Sequence, residues 1–524
     1  MSLSLSLPRH SFLSKALPAS LILTFAIAAH FIIWLIGSLY FVENLHYDTL
    51  ELVYWGRDWM LGYGKHPPLA TWIVDIAVRM GPIPLAQILL LAQVCVAVSA
   101  YYVWATARLL MPEQTALVAA LVFLASPAAS YFSIQVNHNS LLMPFWSASL
   151  YFALRHFIQP HWRTGLIAGI SAGLAMLVKY EVALLFLTLL ILAVVTPAYR
   201  RVFGSFGTWL GLAALALVLT PHLMWLAGND WSTVSYALDA RDVASWSDVL
   251  QALNNTAAGL GVLTVGPLLW FGLAHICGSG LLLKRARHSS QRDLTTAAIL
   301  ALAPPALLIL GALLTRQNPR QGWFLVFIPN VAVAVAFAVH ALQSEPRREL
   351  DNRTLALSGL LSAGQLMVFM AFLSLSNQIG RPVVAFDLRS AKLAEAVEEM
   401  WHDHQAGPLR CLMINEAKIG ASAIMGLNDR PNVVDFSSPF WSRPQRVSDC
   451  AKSGAIVVLN NKHSAQLLKA AVQNECANTR TEVMVPTRFG AERNAQSVEI
   501  TYLPPAGEHA HCAEQDEEVA FRLE

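Results

Sequence analysis

Between Asn44 and Leu69 the chain reads NLHYDTLELVYWGRDWMLGYGKHPPL. Asp48 and Glu51 stand three residues apart there, followed by Asp58, and then Lys65 and His66 directly before Pro67 and Pro68. If the stretch opens as a helix, Asp48 and Glu51 share a face. The two prolines keep the backbone before them extended and stiff, so Lys65 is held in one place. A lysine held that way meets a phosphate as a point charge. A carboxylate opposite it accepts a proton from an attacking hydroxyl. Acid, cation and rigid turn together suit transfer from a phosphate-linked donor. Taken alone, these residues support an acid–base site; solvated charges on a loop are the plainer alternative.

Other stretches carry similar chemistry. Gln135 to Leu142 reads QVNHNSLL; its His138 is a second candidate base, set against a helix-cap or membrane-surface role, and Asn139 stands beside it. Asn139 cannot act as a base, but it can hydrogen-bond a hydroxyl or a phosphate oxygen. Lys179, in the stretch LVKYEV, is a cation at a membrane boundary, where simple snorkelling is the plain reading of the residue alone. Arg241, and Arg320 in RQNPRQGW, are further candidate cations. With the lysines they make a rim fit for an anionic lipid-phosphate headgroup.

The elements that must position these residues are membrane helices. Of 524 residues, 55% are hydrophobic and 13% charged, and the mean hydropathy is +0.47. A soluble protein carries about twice that charged fraction. Apolar runs recur at Leu21–Val42, Leu85–Leu109, Ala116–Ser133, Leu141–Phe157, Gly165–Val178, Val182–Thr196, Phe206–Ala227, Ala257–Leu283, Thr296–Leu314, Trp323–Leu342 and Leu355–Leu375. That predicts a polytopic helical membrane protein of about eleven spans. The first run is too long for a signal-peptide core, so it is expected to remain as a helix. Basic residues gather on alternate loops: Arg9 to Lys15, Arg108, Arg155 to Arg163, Arg200 and Arg201, Lys284 to Arg287, and Arg347 to Arg353. The positive-inside rule puts those loops in the cytoplasm. All the candidate chemistry then falls on the opposite face, as does everything after Ser376. The Asn44–Leu69 loop is expected at the membrane rim, outside a packed core. No basic stripe or zinc spacing marks a nucleic-acid binder.

After a membrane part of residues 1–376, residues 377–524 read as a small extracytoplasmic α/β domain. CLMIN (Cys411–Asn415) and AIVVLN (Ala455–Asn460) read as buried strands, and Ser390–His404 and Ser464–Asn474 as amphipathic helices. Cys95 and Cys277 lie in apolar spans as packing residues. Cys411, Cys450, Cys476 and Cys512 permit two disulfides in three pairings.

The order of an Asp in the first external loop, then aromatics, then Gly62-Tyr63-Gly64-Lys65-His66-Pro67-Pro68-Leu69 resembles the polyprenyl-phosphate-sugar glycosyltransferases of the GT-C class. These include protein O-mannosyltransferases, lipid A aminoarabinose transferases and, nearest in likeness, the galacturonosyl transferases of rhizobial lipopolysaccharide. The resemblance covers roughly residues 20 to 345. It departs from the family at Thr49, where many relatives have a Glu after the Asp, which leaves open whether Glu51 takes that place. It departs again at Asn139, where many have an Asp. The resemblance implies an inverting glycosyltransferase of the bacterial inner membrane, with its site facing the periplasm. It implies a polyprenyl-phosphate-linked sugar as donor and an envelope lipid, glycan or protein hydroxyl as acceptor, with lipid A or lipopolysaccharide first. On this likeness Asp48 and Glu51 are the catalytic candidates. Lys65, His66, Lys179, Arg241 and Arg320 are the donor-phosphate ligands, and Tyr63, His138 and Asn139 contact substrate. No cofactor is implied; a divalent metal is compatible but not required. A lipid-linked-sugar flippase and an envelope scaffold are the rival readings. A flippase should carry charges inside its spans along a path, whereas here they gather on one face.

Overall fold

The computed structural model describes residues 18–239, 245–276, 290–342, 352–379, 383–438, 440–460, 479–488 and 495–505. Arg241, Cys476, Cys512 and the Ser464–Asn474 stretch lie outside the described residues. So do the basic residues Arg9 to Lys15, Lys284 to Arg287, Arg347 and Arg348.

The first long helix, α1 (Ala19–Phe41), leads into α2 (Tyr47–Trp55) and α3 (Leu69–Arg79). Then come α4 (Pro84–Ala107), α5 (Glu113–Leu124), α6 (His138–Ile158), α7 (Trp162–Val178), α8 (Ala183–Val195) and α9 (Phe206–Ala227). The bundle continues through α10 (Ser232–Asp239), α11 (Trp246–Ile276), α12 (Gln291–Leu314), α13 (Ile328–Leu342) and α14 (Asn352–Gln378). By length and composition, seven of the described helices can cross a membrane, or eight if a bent pair counts as one span; α5 and α7 are shorter apolar helices. This is a multi-pass membrane protein.

Three expected segments differ. The Ala116–Ser133 span stops at Leu124, because Pro127 turns the chain and disfavours helix at the residue before it. The Val182–Thr196 span is entered and left through 3-10 turns, Tyr180–Val182 and Pro197–Gly204, and the chain bends by 110° at the second. The connection expected at Gly228–Asn255 is partly helical. Ser245 and Asp248 form a reciprocal cap, Ser245 N to Asp248 Oδ2 at 2.9 Å and Asp248 N to Ser245 Oγ at 3.2 Å, which starts α11 at Trp246.

Packing in the bundle relies on small residues and a few buried polar bridges. Gly165 and Gly169 of α7 face Gly207 and Gly211 of α9 so closely that a Cβ at Gly169 would sit 1.9 Å from the Gly211 carbonyl oxygen. Trp146 Nε1 donates to Asn330 Oδ1 at 2.8 Å, and Asn330 Nδ2 donates to the Leu300 carbonyl at 3.1 Å, joining α6, α13 and α12. His30 on α1 bonds the Ala129 carbonyl at 2.8 Å and Ser362 Oγ at 2.9 Å.

The C-terminal part is a five-stranded sheet of β1 (Cys411–Ile414), β2 (Asn432–Asp435), β3 (Ala455–Leu459), β4 (Thr479–Val485) and β5 (Gln496–Leu503). Its order is β2-β1-β3-β5-β4. β1 pairs parallel with β2 and β3, while β5 runs antiparallel to β3 and β4. The parallel strands β1 and β3 are buried along their whole length, which is why they read as unbroken apolar runs. Short α15 (Val384–Asp387) leads from the bundle to α16 (Ser390–His402), and α17 (Pro444–Ser453) follows β2. Cys411 is bonded to Cys450, tying β1 to α17. One apolar core runs without a break from the bundle through α2 into this sheet.

Candidate active site

The site forms where the Asn44–Leu69 stretch meets the near ends of α6, α7 and α13. His46 caps α2, its ring nitrogen accepting from Asp48 N at 3.3 Å. Asp48 therefore sits in the first turn, where the helix end favours negative charge. Its carboxylate lies 3.6 Å from His46 Nδ1 and accepts a 3.4 Å hydrogen bond from Asn137 Nδ2. About a third of the Asp48 side chain stays open to solvent, at 32%. An incoming hydroxyl can reach it.

Glu51, one turn on, is buried. Lys65 Nζ donates to its Oε1 at 2.6 Å. Burial drives the Glu51 carboxyl up to about 7 despite that cation, with Asp48 and Asp435 adding to the rise. The ammonium of Lys65 is pulled down by burial, but Glu51 outweighs this and leaves it raised. Lys65 is thus a fixed cation, a quarter exposed. His66 lies against His138, ring centroids 3.7 Å apart, and meets Tyr236 edge-on at 6.2 Å.

The second and third stretches arrive from the bundle. Asn137 caps α6 through a reciprocal box with Ser140, placing His138 and Asn139 at the helix mouth. At Lys179 the backbone turns extended, ending α7. Lys179 Nζ donates to Asn139 Oδ1 at 2.5 Å and to Glu181 Oε2 at 2.6 Å, beneath the ring of Trp323. Trp323 belongs to the Arg320 turn, which packs on Asn139 at Gly322. Arg320 itself is exposed, and its charge reaches the Tyr47 hydroxyl at the start of α2. The cationic turns picked from sequence thus surround Asp48 and Glu51, apart from that of Arg241.

Two expectations change. The loop is no open rim: Leu50, Leu52, Trp55 and Tyr63 are fully buried. Tyr63, expected to touch substrate, gives its hydroxyl to the Asp58 carbonyl at 2.8 Å and stacks on Trp55. Its aromatic mass is spent on the core instead.

Sequence reasoning also missed a brace. His222 Nδ1 donates to the Leu61 carbonyl at 2.7 Å, so its Nε2 accepts from the Tyr180 hydroxyl at 2.6 Å; Thr233 Oγ1 lies 2.8 Å from that hydroxyl. This ties the loop, the α7–α8 break and α10 together. A histidine inside an apolar helix was the available signal. Among the described residues, no three His, Cys, Asp or Glu side chains gather as metal ligands would.

Over 93% of its length the chain superposes on 98% of ArnT from Cupriavidus metallidurans bound to undecaprenyl phosphate, with a TM-score of 0.59 and 14% identity. The fold is that of the GT-C glycosyltransferases, as the first loop led one to expect. Residues 65–225 match the family model described as dolichyl-phosphate-mannose-protein mannosyltransferase. Two curated proteins of Rhizobium johnstonii are also similar. The lipopolysaccharide core galacturonosyltransferase RgtB is 31% identical over 214 residues, 40% of this chain, and RgtA is 27% identical over 208 residues, 39% of this chain. The match spans about two fifths of each relative's own length, 42% and 41%.

Proposed function

We propose that this chain is an inverting glycosyltransferase of the bacterial inner membrane, working at the periplasmic face. It takes a sugar from a polyprenyl-phosphate donor and passes it to a hydroxyl of an envelope lipid or glycan. The observation that carries this reading is the meeting of a solvent-reaching acid, Asp48, with two buried-stem cations, Lys65 and Lys179, at one end of the bundle. The acceptor oxygen attacks the anomeric carbon from the face opposite the phosphate. As that bond forms, the bond to the phosphate oxygen breaks and the polyprenyl phosphate leaves as an anion. The acceptor proton passes to Asp48. Lys65 and Lys179, with Arg320 at the rim, take up the charge growing on the phosphate. Asn139 and His138 line the sugar side.

The names of the rhizobial relatives make a uronic acid sugar and a lipopolysaccharide core acceptor the first pair to try. The test uses purified protein in lipid nanodiscs, a panel of polyprenyl-phosphate sugars, and mass spectrometry of envelope-lipid acceptors. Asp48→Asn keeps the shape and removes proton acceptance, so transfer falls on the order of 10²-fold. Transfer at the wild-type rate by that variant moves the base elsewhere. Donor movement across vesicles with no transfer by wild type replaces this reading with a flippase.

A further inference from the structure

The parallel half of the C-terminal sheet has the order β2-β1-β3, so the chain leaves β1 for opposite sides in turn. In open α/β sheets the crevice beyond the carboxyl ends of such strands is where ligands sit. Here that place is filled by the first loop of the bundle. The turn after β1, Gly420–Met425, packs on α2. At the end of β2, Asp435 is fully buried and accepts from the Tyr54 hydroxyl at 2.8 Å. Its other oxygen takes Ser437 N at 2.9 Å and Ser437 Oγ at 2.6 Å. Tyr54 stands one turn from Glu51 on α2.

The segment after β2 grips the other strand of the loop. Trp441 stacks on Trp55, centroids 6.0 Å apart and planes within 7°, and on Tyr63 at 6.4 Å. Phe440 lies so near Gly64 that a Cβ there would meet it at 2.7 Å. Arg446 covers Trp441 and pairs with Asp58. The two residues before Lys65 are therefore held by the C-terminal part, and so is the helix that carries Glu51.

We propose that the C-terminal part is a working component of the site, in which Asp435, acting through Tyr54, is the positioning residue for the Glu51–Lys65 pair. The inference rests on the glycosyltransferase reading for its link to catalysis, though not for the mechanical coupling. Beyond holding Tyr54, the Asp435 charge reaches Glu51 together with Lys65 and Asp48, the other charged groups facing it. A carboxylate there favours the protonated form of Glu51.

Two conservative variants separate tether from charge. Tyr54→Phe removes the tether and keeps the charge. Asp435→Asn removes the charge and can still bond the Tyr54 hydroxyl, which then accepts from the amide. Amide hydrogen exchange of residues 47–66 in nanodiscs reads the coupling, and the pH profile of donor kcat/KM reads the charge. Tyr54→Phe should speed exchange across 47–66 on the order of tenfold, with kcat/KM falling by a similar factor. Asp435→Asn should leave exchange near wild type and move the acid limb to lower pH. Unchanged exchange in Tyr54→Phe overturns the proposal, whatever the transfer assay gives. An unmoved acid limb in Asp435→Asn overturns the charge role and reduces Asp435 to a tether. If wild type transfers no sugar while the exchange effect stands, the glycosyltransferase reading fails and the coupling survives.

Discussion

Lys65 Nζ lies 2.6 Å from Glu51 Oε1, and both side chains are largely withdrawn from water. Neither is comfortable there alone. Glu51 is held at about 7 mainly by burial, and its cation keeps it from rising further. A charged pair in this setting is costly to break from one side, because the partner is left buried and unpaired.

The first prediction follows from that pair. Because burial raises the Glu51 carboxyl from 4.5 to about 7, the folded state holds its proton more tightly than the unfolded state. That contribution to stability is full below 4.5 and is lost as pH rises through about 7. Activity runs the other way, since the ion pair that fixes Lys65 forms as Glu51 ionises. Donor kcat/KM should climb through pH about 7, and Glu51→Gln should erase that limb. Lys65→Ala should weaken donor use by about 2–4 kcal/mol. A flat profile in wild type from about pH 5 to about pH 9 removes Glu51 from the working site.

The sequence carried the parts of this site more readily than their pairings. Lys65 was legible because Pro67 and Pro68 fix the chain beside it. Lys179 and Asn139 were legible as cation and polar cap at helix ends, but their bond joins residues 40 apart, which spacing cannot show. The Glu51–Lys65 pair spans 14 residues around a turn whose path depends on Trp55, Tyr63 and Trp441 stacking. Asp435 was beyond reach altogether, because it meets Tyr54 across 381 residues. The bundle was easier. Lipid forbids unpaired backbone, so long apolar runs have one outcome. Helix ends escaped where local chemistry decides them, at Pro127 and at the Ser245–Asp248 cap.

A second prediction concerns the α7–α9 contact that aims Lys179. A methyl group at Gly169 would meet backbone that cannot swing aside. Gly169→Ala should lower the thermal unfolding midpoint in detergent and force α7 and α9 apart. Gly272, where an added Cβ meets nothing within 4 Å, is the control, and Gly272→Ala should be neutral or mildly stabilising. Equal midpoints for the two variants would show that the close approach carries no weight.

A third prediction is the side of the membrane. Leu61 is 41% exposed, next to the site, and so suits a thiol reporter. Leu61→Cys, in a background with Cys95, Cys277, Cys476 and Cys512 changed to Ser, should react with an impermeant reagent added to spheroplasts. Reaction only after the inner membrane is lysed would invert the orientation and put the site in the cytoplasm.

The disulfide gives a fourth. Cys411 and Cys450 are 39 residues apart, and closing a loop of that size restricts the unfolded chain by about 4 kcal/mol in the loop-entropy model. α17, which holds Cys450, also holds Arg446 against Asp58. Cys450→Ser should therefore lower the protease resistance of residues 411–460 and loosen the Arg446–Asp58 contact. Resistance equal to wild type, with the thiols shown to be oxidised in wild type, would leave the bond without a stabilising role.

The last prediction tests position 139, where the sequence resemblance leads one to expect an Asp and this chain has Asn139. Asn139 accepts from Lys179, whose ammonium is already shared with the buried Glu181. One carboxylate balances one ammonium and leaves an incoming phosphate free to compete for it. A second carboxylate at position 139 would over-neutralise the lysine and repel the donor's phosphate. Asn139→Asp should therefore raise the donor KM on the order of tenfold, worth about 1.4 kcal/mol, while the acceptor KM stays put. Asn139→Ala removes the acceptor and adds no charge, so its effect on donor KM should be smaller. If Asn139→Asp instead raises kcat, the carboxylate is doing proton transfer, and Asp48 is not the sole base this site can use.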